Sequence, residues 1–181
     1  MLKIEVPDSE FFDNDTQCFI KIKGQTLALE HSLVSIAKWE AKWNIPFLSK
    51  EPKHEKTRAM VLDYIRCMTM TQNVNPIIYH TLTSEHIEQI NKYIEAPMTA
   101  TWITDKQQSK ANSEVITAEI VYYWMISLNI PIEFQKWHFN RLITLIRVCS
   151  IKNAPSKKMG KKEWAAKRRA INNARRAKSH R

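Results

Sequence analysis

Phe19-Ile20-Lys21-Ile22-Lys23-Gly24-Gln25-Thr26-Leu27-Ala28-Leu29-Glu30-His31-Ser32-Leu33-Val34-Ser35-Ile36-Ala37-Lys38-Trp39-Glu40 is the stretch in which the hydrophobic period changes. Up to Leu29 the apolar residues alternate with polar ones, a period of two that suits strands with one buried face. From Leu33 the period lengthens: Leu33, Ile36, Ala37, Glu40 and Trp43 recur at helical spacing. Ser32 stands at the junction as an N-cap, and Asn44-Ile45-Pro46 stops the run. A chain that makes this switch once, near its start, is predicted to be α+β and mostly α-helical.

Working outward, Leu2, Ile4 and Val6 alternate with Lys3 and Glu5. Residues 1–31 are therefore expected to form a small antiparallel β element of two or three strands, with Gly24-Gln25 as a two-residue hairpin turn. Four more helices are expected on the far side of Pro46. One runs from about Lys56 to Met70 and shows Val61, Tyr64, Ile65 and Met68 on one face. The next starts at Thr83 or Ser84, presents Ile87, Ile90 and Ile94, and breaks at Ala96-Pro97. Ile116 to Leu128, entered through Asn112 or Ser113, is so apolar that it should be the most buried helix, with Trp124 as the packing centre. Pro131 suits the first turn of a fifth, carrying Phe134, Trp137, His138, Leu142, Leu145, Ile146 and Cys149. Residues 32–153 thus read as a five-helix body.

Charge divides the chain more sharply than hydropathy does. Residues 152–181 hold twelve Lys or Arg against one acid, Glu163, whereas residues 1–151 hold sixteen bases and seventeen acids. The formal charge of +10 therefore belongs to an arm over residues 154–181 and says little about the body. Glu163 to Arg176 contains four Ala and many long straight-chain residues, good helix formers, but its apolar stripe is thin. Such a helix orders best on a partner. Lys161, Lys162, Trp164, Arg168, Arg169, Arg175 and Arg176 are its candidate contacts, to be met by an acidic protein face or by nucleic acid.

Composition narrows the function classes. Two glycines in 181 residues disfavour phosphate-cradling loops and dinucleotide folds. Cys18, Cys67 and Cys149 are widely separated and contain no CxxC pair, which fits reduced thiols in a cytosolic compartment. The opening residues hold no apolar run of signal-peptide length, and no stretch reaches the roughly 18 apolar residues that a bilayer span needs. A chain without a membrane partner is expected.

The residues that carry chemistry do not assemble into a reactive set. HExxH, GxSxG and GxxxxGK are missing from the sequence, and neither a metal nor a cofactor is predicted. His80, Glu85 and His86 are close in sequence, but no single helical face presents the two histidines together. His138 lies on an apolar helix and reads as a hydrogen-bonded core or boundary residue. Glu119 and Arg141, charges inside apolar helices, are expected to pair with each other. Trp39 and Trp43, four apart, are either core or an exposed partner site, as is Trp102; Trp39 and Trp43 are carried forward as candidate partner contacts.

Ser35-Ile36-Ala37-Lys38-Trp39-Glu40, Ala96-Pro97-Met98-Thr99-Ala100-Thr101-Trp102, Ile116 to Met125, Trp137-His138-Phe139-Asn140-Arg141-Leu142 and the Lys/Arg/Asn/Ala-rich end resemble the tail assembly chaperones of long-tailed bacteriophages. The resemblance covers roughly residues 33–181. It implies a non-enzymatic assembly factor of the host cytoplasm that coats the helical tape measure protein, meets the major tail protein, and is absent or minor in the virion; self-association of the chain is kept as a separate expectation. In some such systems a frameshift appends a second domain. The alternative expectation is a nucleic-acid-binding protein, or a minor virion component that contacts DNA through the arm.

Overall fold

In the computed structural model, residues 1–13, 17–49, 55–101, 103, 115–154 and 161–179 are described. The chain is α+β and mostly helical, and it separates into two compact units, Met1–Cys149 and Ser150–Arg181. Strands β1 (Leu2–Val6), β2 (Ser9–Asp13), β3 (Cys18–Ile22) and β4 (Gln25–Leu29) precede α1 (Leu33–Trp43), α2 (Arg58–Met68), α3 (Ser84–Glu95), α4 (Ala118–Ser127), α5 (Phe139–Asn153) and α6 (Lys161–Ser179). Two 3₁₀ helices, Pro76–Thr81 and Ile132–Lys136, lie between α2 and α3 and between α4 and α5.

The hairpin expected across Gly24-Gln25 does not form. β1 pairs with β4 and β2 with β3, in one antiparallel register: Leu2 opposite Leu29, Val6 opposite Gln25, Ser9 opposite Ile22, Asp13 opposite Cys18. Gly24-Gln25 is therefore not a hairpin turn, and the chain reverses between Asp13 and Cys18 instead. Gly24 answers a different need. Its backbone crosses the β1–β2 connection so closely that a Cβ there would sit 2.6 Å from the Val6 carbonyl oxygen and 2.8 Å from the Asp8 nitrogen, while its own N–H donates to Asp8 Oδ1. Val6 and Ser9, like Ile22 and Gln25, are three apart. The interruption thus re-phases the alternation and keeps an inward face on both ladders. The outer edge of β4 is closed by the chain after α2: Glu30 N–H donates to the Met68 carbonyl, Met70 N–H to the Ala28 carbonyl, and Ala28 N–H to Thr71 Oγ1. Covering an edge in this way removes a template for unwanted strand pairing.

Helix boundaries follow their caps. Ser32 opens α1 with a reciprocal capping box to Ser35, and Asn44, in the left-handed region at φ 54°, closes it. Thr57 caps α2 and Thr83 caps α3. The fifth helix begins later than Pro131: Ile132–Lys136 forms a 3₁₀ turn, and the chain turns at Trp137-His138 so that Ser32 bridges His138 and Phe139 N–H donates to the His31 carbonyl at 2.7 Å. An uninterrupted helix could not make that contact with the end of β4.

One core serves strands and helices alike, joining Ile4, Leu27 and Leu29 to Leu33, Ile36, Trp39, Ile65, Ile90, Val121 and Leu142. Trp39, fully buried at 0% exposure, is its largest member and donates its Nε1–H to the Met60 carbonyl. The expectation that α4 and Trp124 form the centre is overturned. α4 buries only Ala118, Val121 and Met125, Trp124 is half-buried, and Tyr123 and Ile126 are 66% and 72% exposed. A helix that is apolar on every side still turns only one side to the core. Trp39→Ala should accordingly destabilise by about 3–5 kcal/mol through lost burial and a cavity. Trp124→Ala should cost clearly less in the same chemical denaturation series.

Candidate functional site

The polar residues buried in the first unit, His31, Ser32, Ser35, Glu40 and His138, are the places where reactive chemistry would have to sit, and each makes at least one hydrogen bond within the fold. Glu40 projects from α1 at a core-facing position and accepts the Phe47 N–H on Oε1 and the Ala118 N–H on Oε2, both at 2.7 Å. Ala118 opens α4, whose own cap residue Thr117 makes no side-chain cap bond. A carboxylate from another helix thus satisfies the end of α4 and complements its dipole. Burial raises the Glu40 pKa while the two backbone donors pull it back. Lys56 lies nearby, its Nζ 3.6 Å from the centre of the Phe47 ring. Truncation by Glu40→Ala leaves two buried N–H groups without an acceptor, and a loss of about 3 kcal/mol in urea unfolding is expected.

His31 and His138 form a second buried pair. Their rings meet edge to face with centroids 5.1 Å apart. His31 Nδ1 is hydrogen-bonded to the Tyr64 hydroxyl, and His138 Nε2–H donates to the Tyr93 carbonyl. His138 Nδ1 is without a partner among the described residues. Burial lowers the His31 pKa from 6.5 to about 3, helped by the neighbouring imidazole and Lys56, and burial lowers that of His138 as well. The Tyr93 hydroxyl donates to Glu30 Oε1 at 2.7 Å. His138 is thus the hydrogen-bonded core residue that its setting suggests.

Because the folded state binds protons on these imidazoles less readily than the unfolded chain, stability falls as pH drops below about 6.5 and continues to fall towards about 3. The slope approaches about 1.4 kcal/mol per pH unit for each fully disfavoured proton. His31→Gln keeps a hydrogen-bonding side chain but does not titrate. It should reduce the slope between pH 6.5 and 5 in thermal melts, a comparison that leaves the carboxylates unchanged.

The remaining sequence candidates separate under the structure. Glu119 and Arg141 form no ion pair with each other; both are exposed, and the Arg141 guanidinium lies 4.1 Å over the Trp137 ring instead. The helix break at Trp137-His138 sets that geometry. His86 acts in the α3 capping box, its Nδ1 accepting the Thr83 N–H, while the His80 ring packs near Phe11. Among the described residues no group of three potential ligands gathers for a metal, and no helix is long and apolar enough to cross a membrane. Trp39 is withdrawn as a partner contact because it is core. Trp43 is half-buried and donates its Nε1–H to Asp63 Oδ2, beside the Lys42–Asp63 ion pair, so it staples α1 to α2. Trp102, Asn112 and Ser113 lie outside the described residues.

What faces solvent with a strong charge is α6. At about 1.5 Å per residue its 19 residues extend about 28 Å. Arg168 and Arg175, like Arg169 and Arg176, are two turns apart, so both pairs fall on nearly one side with a drift of about 20°. All four are exposed, with exposed Asn172 between them and Ile171, 46% exposed, turned away. Lys161, Lys162 and Trp164 belong to the same helix, but their side chains lie outside those described. Each guanidinium offers a planar fork of donors suited to carboxylate or phosphate. Sequence reasoning located this face directly, whereas it passed over Glu40, whose signal was a carboxylate in the apolar phase of α1. No protein-family model, curated protein or solved structure matches the chain.

Proposed function

We propose that this protein is a non-enzymatic tail assembly chaperone of a long-tailed bacteriophage, acting in the host cytoplasm on tape measure protein and tail subunits through its C-terminal helix. The observation that carries the reading is the arginine face of α6, in which two pairs of exposed guanidinium groups repeat at two-turn spacing. A partner helix with acidic residues every seven positions matches that repeat, each arginine pair meeting carboxylates about 10 Å along the axis from the other. A long helical tape measure protein is the partner that the sequence resemblance implies. The engagement of Glu40, His31 and His138 within the body supports a binding role over a catalytic one.

Nucleic acid is the competing partner, since phosphates satisfy the same donors without regard to spacing. Replacing Arg168, Arg169, Arg175 and Arg176 together by Ala should reduce capture of tape measure fragments at least tenfold and lower the yield of tails, while leaving the body's melting temperature unchanged. Binding of random DNA should be lost at physiological salt. Retention of DNA at that salt, with tape measure fragments ignored, would replace this reading by the nucleic-acid one.

A further inference from the structure

We infer that the outward face of the β2–β3 ribbon is a contact between two copies of this chain, a surface independent of the arm and of the role proposed for it. In the register of this ribbon Glu10 stands opposite Lys21 and Phe12 opposite Phe19. These four side chains share one face, because Ile22, Phe11 and Ile20 occupy the other, where Ile22 is buried and Phe11 packs on the core. All four are exposed, Phe12 by 43% and Phe19 by 70%, and the two rings touch at a centroid distance of 5.1 Å. Although Glu10 and Lys21 are cross-strand neighbours, neither forms an ion pair among the described residues. A pair of phenylalanines set beside opposite charges on a short ribbon wastes apolar surface unless something covers it.

The arrangement is its own complement. Rotation of a second copy by a half-turn about an axis parallel to the strands lays Phe12 on the partner's Phe19 and Phe19 on the partner's Phe12. The same rotation sets each Glu10 over the other copy's Lys21. Four rings then form one cluster flanked by two intermolecular charge pairs, and the two copies contribute the same patch, as a two-fold contact requires. Ribbons stacked face to face at about 10 Å leave room for these side chains to interdigitate. The patch is small beside the roughly 800 Å² per partner of a stable interface. Association is therefore weak, rises with protein concentration, and is opposed by salt.

Sedimentation equilibrium of the full chain over a wide concentration range tests this. The wild-type mass should climb towards twice the monomer value. Glu10→Lys and Lys21→Glu should each remain monomeric, since every charge on the face then has one sign. An equimolar mixture of those two variants should recover association, because an all-basic face meets an all-acidic one. The double variant Glu10→Lys/Lys21→Glu should recover it alone. In the mixture each chain keeps its own like-charge cross-strand pair, so recovery there reports pairing between copies and not a repaired ribbon. A monomeric wild type at the highest concentration, single variants that associate as well as the wild type, or a mixture that stays monomeric would each overturn the inference.

Discussion

Glu40 is the constraint on which the arrangement of the first unit depends. One carboxylate, held in the apolar phase of α1, accepts the backbone of the corner that follows α1 and the first amide of α4. Its two oxygens thus tie α1 to the corner seven residues on and to the start of α4, 78 residues on. An apolar side chain at this position would leave both amides in a dry interior. A helix start with a weak cap of its own is placed by whatever supplies its acceptor, so α4 takes its position from α1.

The same economy recurs at the end of β4. His31 and Ser32 accept the chain entering α5, the Thr69–Thr71 segment closes the strand's other side, and the capping box of α1 begins within one residue. Two segments distant in sequence meet the start of α1 on five consecutive residues, Ala28 to Ser32. Buried imidazoles line that junction, and their neutrality is a condition of its packing.

Much of this could be read from the residues. Ser32, Asn44 and Thr83 have local chemistry that decides a helix end without help from the rest of the molecule, and the switch of period at Ser32 separated strands from helices. The errors share one cause: they concern choices made by contacts distant in sequence. Gly24 looked like a turn residue because glycine serves turns and close crossings equally, and only the position of Pro7 and Asp8 distinguishes the two. Trp124 looked central because hydropathy counts residues without saying which side of a helix has a neighbour. Glu119 and Arg141 were matched by sign alone, and Arg141 met an aromatic ring instead. The exposed face of α6 was legible because charge density on a thin apolar stripe needs no tertiary information.

The bond from Phe139 to the His31 carbonyl also has a consequence in time. The two residues are made far apart during synthesis, and at about 5–20 residues per second the strand end waits on the order of ten seconds for its partner. Through that interval the His31 ring lacks the burial that lowers its pKa in the folded protein. Closure of the body around a protonated His31 releases that proton, so the equilibrium of this step shifts with the acidity of the surrounding solution.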